Sequence, residues 1–144
     1  MQKLSKICTI IFLRLLDKLG TYQGITLKAK GCFPIQFEAG EDVQTPQGTG
    51  KLYTLSFLMF QRFLIFKNPE ISFILIDNRQ SPDARPKEVS IYPGSVRFDR
   101  WDYTEESIPI KDNVVGAPNI PVQRCHCKFA SQFLKSMVSD GFLR

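Results

Sequence analysis

Two segments limit the possible folds more than any other: Lys51–Phe60 (KLYTLSFLMF) and Glu70–Ile76 with its neighbour Asp77 (EISFILID). In the first, a period of two puts Tyr53, Leu55, Phe57 and Met59 on one face, while Leu52, Leu58 and Phe60 make the other face apolar as well. In the second, Ile71, Phe73 and Leu75 alternate with Ser72, Ile74 and Ile76. Strands of this kind belong in the middle of a sheet that is covered, at least in part, on both sides. The chain must therefore supply apolar surfaces to lie on them.

It supplies two helices, one at each end. Over residues 3–19, Leu4, Ile7, Cys8, Ile11, Phe12, Leu15, Leu16 and Leu19 recur at i, i+3, i+4 spacing, and Gly20 stands where a helix closes. Over residues 124–140, Phe129, Ala130, Phe133, Leu134, Met137 and Val138 form a second stripe. Gly141 is placed to cap that helix, and Phe142 to fold back on its last turn. The remaining strands are expected within 34–99. Residues 34–38 (PIQFE) read as a first strand, 41–50 as a polar turn, and 78–86 as a loop. Residues 87–99 read as two short strands broken at Pro93-Gly94, with Val89 and Ile91, then Val96 and Phe98, on one face. The connection between the two central strands is expected near Lys67-Asn68-Pro69 or slightly earlier. Residues 100–121 lose periodicity and contain Pro109, Pro118 and Pro121, which predicts an irregular loop. The expected fold is a single α+β domain in two layers. It has an antiparallel sheet of about five strands with the N-terminal and C-terminal helices packed on one face.

At 144 residues, such a domain can bury a core without metals or disulfides. Four cysteines, Cys8, Cys32, Cys125 and Cys127, are too few and too unevenly placed for a secreted disulfide scaffold. The start of the chain has lysines before an apolar run, but Arg14 and Asp17-Lys18 interrupt it, and no small-residue cleavage site follows. No run approaches the ~18 apolar residues a membrane span needs. The expectation is a cytoplasmic protein with free thiols and no membrane contact.

Cys125-His126-Cys127 brings together two cysteines and the only histidine. Zinc prefers paired ligands such as Cys-x₂-Cys. Residues two apart on a helix diverge by roughly 200°, so one of the two thiols would face away from a shared ion. Cys8 and Cys32 could complete a set only if the fold carried them there. The expectation is a helix start with buried cysteine as a small hydrophobe, no metal and no cofactor; a zinc-stabilised module is the alternative that would use these residues. The acid pairs Glu41-Asp42 and Glu105-Glu106 read as solvated loop charges. The stretch at 45–51 (TPQGTGK) lacks the first glycine of a phosphate loop and has Leu52 in place of Ser/Thr. Nothing here specifies a reaction, so catalysis is not expected.

The strongest surface signal is residues 97–103 (RFDRWDY), where Arg97, Arg100, Trp101 and Tyr103 interleave cations and aromatic rings. These are the residue types of protein-binding hot spots. They could equally stack on bases and neutralise phosphates, with Lys111 and Arg124 as further cations for a nucleic-acid partner. They could also simply cap the core at a strand's end, with Asp99 and Asp102 pairing the arginines.

Leu15–Gly20 (LLDKLG), Asn68–Ile76 (NPEISFILI) and Phe129–Met137 (FASQFLKSM) stand in the order and setting of three motifs of an uncharacterised family. These are a helix ending Leu-x-x-Leu-Gly, an Asp-Pro-Glu followed by an apolar strand, and a last helix of the type Phe-Ala-x-x-Trp-Leu-x-x-Ile. The chain resembles this domain-of-unknown-function family of small bacterial proteins, often carried on plasmids, phages and other mobile elements. Phe57-Leu58-Met59 replaces the family's His-Tyr-Tyr stretch, and Arg62-Phe63 its Asn-Gly turn. The resemblance implies the α+β fold and a mobile-element association, and brings no reaction with it. The expected role is that of a non-catalytic accessory protein contacting another protein through Arg97, Arg100, Trp101 and Tyr103.

Overall fold

The computed structural model describes residues 1–79 and 88–144; most of the loop expected at 78–86 lies outside them. In chain order the elements are α1 (Lys6–Leu19), β1 (Gly24–Leu27), β2 (Ile35–Thr45), β3 (Gly48–Gln61), β4 (Leu64–Asp77) and β5 (Val89–Phe98). A 3₁₀ turn (Asp99–Trp101) follows, then β6 (Tyr103–Glu106), β7 (Ile110–Lys111), β8 (Val114–Val115) and α2 (Ile120–Asp140). The fold class is α+β, with a mostly antiparallel sheet. Among the described residues that sheet has eight strands where about five were expected, in the order β6-β5-β4-β3-β2-β8-β7 with β1 added to β2, and it curls into a half-barrel.

The helices start where their caps allow. The Ser5 hydroxyl accepts from Cys8 N, so α1 begins at Lys6 and not at residue 3. Leu4 instead runs beside β5, its amide donating to Ile91 O at 2.9 Å. Asn119 caps α2 through Val122 N, and Pro121 sits in the first turn, where its missing N–H costs nothing. The second helix therefore begins four residues earlier than the sequence suggests. Gly141 has φ 91°, and Phe142 N returns to Met137 O, the expected closing turn.

Both helices lie on one face of the sheet. Phe12 of α1 is fully buried at the centre, its ring 4.9 Å from Phe73, 5.4 Å from Phe37 and 5.8 Å from Tyr53. Cys8, Ile11, Leu15 and Leu19 are buried with it, but Ile7, assigned to the stripe by spacing, is exposed. From α2, Cys127, Ala130, Phe133, Leu134 and Met137 join the same core, while Val138 stays partly exposed.

The second face has a core of its own. Val43, Ile74, Ile76 and Tyr92 are covered by Ile108 and Val115, with Leu52 and Ile110 packed against them. This cover is the segment read as an irregular loop at 100–121. It contains β6, β7 and β8, and it crosses from the β5 edge to pair Val114 in parallel with Gln44 of β2. The prolines lie between these short strands or within the helix start, and so did not prevent them.

Three further expectations are corrected. Pro93-Gly94 does not end a strand: β5 runs through it with Ser95 opposite Ser72 and Pro93 opposite Phe73, leaving Gly94 as the extra residue of a bulge. The bulge switches the side-chain parity, which is why Val96 and Phe98 share a face with Val89 and Ile91. The β3–β4 turn is at Arg62-Phe63, where Arg62 has φ 56°, and not near Asn68-Pro69. The polar stretch 41–50 is itself most of a β2–β3 hairpin, turning between Thr45 and Gly48.

Because Phe12 touches three strands at once, Phe12→Ala is expected to destabilise the fold by about 3–5 kcal/mol. Urea unfolding monitored by circular dichroism measures this; a loss under about 1 kcal/mol would show that the helix face is not the core's centre.

Candidate functional site

The bulge at Gly94 sets the site. It turns Val96 and Phe98 toward α2, and β6 pairs beside them with Glu105 opposite Val96 and Tyr103 opposite Phe98. Tyr103, Glu105 and Ser107 thus share one face of the chain by the period of two. α2 presents Cys125, His126 and Phe129 to the same place. Together Val96, Phe98, Tyr103, Glu105, Cys125, His126 and Phe129 line an apolar recess of about 230 Å³.

One side of the recess is a hydrogen-bonded chain. His126 Nδ1 lies 2.7 Å from Ser107 Oγ, and Nε2 lies 2.8 Å from Glu105 Oε1. The Tyr103 hydroxyl donates to Glu105 Oε2 at 2.9 Å, and Ser107 Oγ also reaches Gly94 O at 3.2 Å. Both ring nitrogens of a nearly buried imidazole are thereby satisfied. The Tyr103 hydroxyl and the His126 ring hold the Glu105 carboxyl below the usual range, and Glu105 in turn raises the Tyr103 phenol. A Ser–His–Glu sequence of contacts resembles a nucleophile with its base and orienter. Here Ser107 has no exposed surface, so an acyl substrate would reach its Oγ only after β6 had parted from α2. The arrangement as it stands clasps β6 and the crossing segment to the helix.

The residues expected at a partner surface are close together but unequal. Trp101 is 66% exposed, and its ring lies 5.2 Å from Phe98, which also contacts Tyr103 and Phe129. Tyr103 and Arg100 are exposed. Arg97 is committed internally, 3.2 Å from Glu70 Oε1 and 2.9 Å from Asp99 Oδ1. Of the two cations considered with it, Arg124 is exposed beside the recess, and Lys111 is on β7 at the opposite end of the strand order from β6.

The three residues of the Cys-His-Cys triplet point three ways. Cys125 lines the recess, His126 faces Glu105 and Ser107, and Cys127 packs toward α1 with its thiol 3.5 Å from Lys3 O. Burial, with Cys8 nearby, pushes the Cys127 thiol upward. Cys32 and Cys125 are exposed while Cys8 and Cys127 are buried, so the four sulfurs are not gathered. Among the described residues no cluster of three or more His, Cys, Asp or Glu side chains is placed to hold a metal ion.

Sequence reasoning missed Glu105, Ser107 and the lining role of Cys125 and His126, and treated Glu105-Glu106 as solvated loop charge. The alternation Tyr103-x-Glu105-x-Ser107 carried the signal. It went unused because 100–121 was read as irregular. Comparison with family models, with curated proteins and with solved structures gives no match.

A carboxyl held below its unfolded value stabilises the fold above the ordinary carboxylate range, and that contribution is lost as pH falls through the lowered value. Glu105→Gln should therefore unfold at a lower temperature than the native chain at pH 7, and the gap should close on acidification. A gap in melting temperature that is unchanged between neutral and acid pH would refute the coupling.

Proposed function

We propose that this protein acts by binding and not by catalysis. In this reading a partner protein lays an extended segment along β6 and seats an apolar side chain in the recess against α2. The observation that carries the reading is an unpaired strand edge next to a pocket. Ser107 N donates to Gly94 O, and continuing that register makes Glu105 and Tyr103 the positions bonded to β5. Thr104 and Glu106 then turn their main-chain groups outward, and among the described residues these outward groups have no partner. A strand added there gains main-chain hydrogen bonds, and the recess selects its side chain. Trp101 and Tyr103, both resting on Phe98, form the aromatic lip that such contacts use.

The nucleic-acid reading has less support, since Arg97 is neutralised by Glu70 and Asp99, and Lys111 stands apart from Arg100 and Trp101. A zinc-stabilised module would need the four cysteines gathered. The cytoplasmic setting and the mobile-element association belong to the same proposal. The association rests on the segments 15–20, 68–76 and 129–137, which fall at the end of α1, in β4 and in α2.

Selection of a displayed peptide library on the immobilised chain tests the reading. Enrichment of extended peptides with one aromatic or aliphatic anchor is expected. Trp101→Ala should weaken their binding by about 2 kcal/mol, roughly thirtyfold, and Cys125→Trp, which fills the recess, should abolish it. No enrichment, or binding indifferent to both changes, would overturn the proposal.

A further inference from the structure

The β3–β4 hairpin outgrows the sheet it belongs to. Pairing with β2 ends at Ile35 opposite Phe57, and pairing with β5 ends at Glu70 opposite Arg97. Beyond these points residues Leu58–Lys67 project as a two-stranded arm. Its base is closed off: Leu58 N donates to Pro34 O at 2.9 Å, and Lys67 N donates to Asp99 Oδ2 at 2.9 Å. Its tip is not. Phe63 is fully exposed at 103%, and Phe60, Leu64 and Ile65 expose half or more of their surface.

The distribution of these side chains indicates what would cover them. Phe60 and Ile65 are directly opposed and point to one face of the ribbon, Leu64 points to the other, and Phe63 stands at the apex. A groove on a protein covers one face of a ribbon. An arm that is apolar on both faces and at its end fits a medium that surrounds it. The charge around it is also net positive. Arg62 is at the apex, and Lys28 and Lys30 are exposed in the loop leading to Phe33 and Pro34. On the other side of the neck, Arg100 lies in the turn whose Asp99 caps the arm. The three acids of the neck, Glu38, Glu70 and Asp99, share two cations, Lys67 and Arg97, and Asp102 lies beside Trp101, so the four remaining cations Arg62, Lys28, Lys30 and Arg100 outweigh the unmatched acids. Two exposed aromatic rings, Phe33 and Trp101, flank the base, and the amphipathic ring of a tryptophan favours a membrane–water boundary.

We infer that the Leu58–Lys67 arm seats this protein peripherally on a membrane surface bearing anionic lipids, with Phe60, Phe63, Leu64 and Ile65 in the interface and Arg62, Lys28, Lys30 and Arg100 among the headgroups. From the apex to the Phe60–Ile65 pair is about three residues, roughly 10 Å of strand, which matches the ~5–10 Å depth of interfacial insertion. At that depth the outward main-chain groups of Phe60 and Ile65 still meet water and headgroups, as they could not in the hydrocarbon core. No helix of the described residues is long and apolar enough to cross a membrane, so the contact is a docking one. It departs from the expectation of no membrane contact without requiring any spanning helix.

The test is co-sedimentation of the full chain with phosphatidylcholine vesicles with and without phosphatidylserine. Binding that requires phosphatidylserine and weakens with salt is expected. The paired change Phe63→Ser with Leu64→Ser should weaken it at least about tenfold while leaving the melting temperature unchanged, since both residues are exposed. Trp101, the only tryptophan, should shift its emission to the blue on binding. Cys125→Trp should sediment like the native chain, which separates this site from the recess. Absence of sedimentation, or sedimentation that the paired change leaves intact, would overturn the inference. So would single-stranded DNA binding, or an arm-dependent dimer, in place of vesicle binding.

Discussion

A sheet whose central strands are apolar on both faces must be covered twice, and one layer of helices covers it once. The chain meets the first need with α1 and α2, and the Phe12 ring joins three strands to the helix layer. The second need is met by chain that is neither helix nor long strand. Ile108 and Val115 are carried over Ile74, Ile76 and Tyr92 by a segment that leaves one sheet edge and arrives at the other. For such a short segment to reach both edges, the sheet has to curl. The half-barrel is therefore a consequence of two-sided burial.

The same crossing creates the site. Ser107 begins the crossing, and its amide and hydroxyl both go to Gly94, the extra residue of the β5 bulge. One bulge thus points Val96 and Phe98 at the second helix and fixes where β6 must end. His126 then closes the gap between β6, the crossing segment and α2 with one contact to each side. A buried polar group in this position holds elements in one relative placement, because an unpaired ring nitrogen there would be costly. Gln123, also wholly buried, does similar work one turn earlier, bonding Gln2 through both its amide and its carbonyl and reaching Pro93 O.

Long periodic segments were legible in the sequence because their signal repeats. The stripes of α1 and α2, the alternation of Tyr53, Leu55 and Phe57, and that of Ile71, Phe73 and Leu75 each repeat a burial preference several times. What was hidden is local and brief. β1, β6, β7 and β8 are two to four residues long, too short for periodicity to stand out from chance. Pro93 reads as a breaker, yet it sits in a bulge of a covered strand, where the lost ladder bond is not missed. His126 stayed invisible as a site residue because its partners, Glu105 and Ser107, are about twenty positions away and were assigned to loop. The surface around Trp101 was recognisable because cations and aromatic rings lay within seven residues; that Arg97 is spoken for by Glu70 depends on pairing across strands. The hairpin tip was concealed by its own regularity, since Phe60 and Ile65 continue the apolar pattern of strands that carry core residues further along.

The crossing segment is tied down mainly at its ends, by Ser107 to Gly94, by Asn119 N to Ser107 O, and by Gln44 N to Asn113 O. It joins places far apart along the chain, and it can be laid only once the sheet beneath it exists. Its closure therefore belongs late in folding. Such a segment is expected to open as a separate unit, exchanging its amide hydrogens while the Phe12 core stays closed. An excursion of that unit would uncover Ile108 and release the Ser107–His126 contact together. The one face of this protein without a helical cover is thus the place where heat or denaturant should first gain entry.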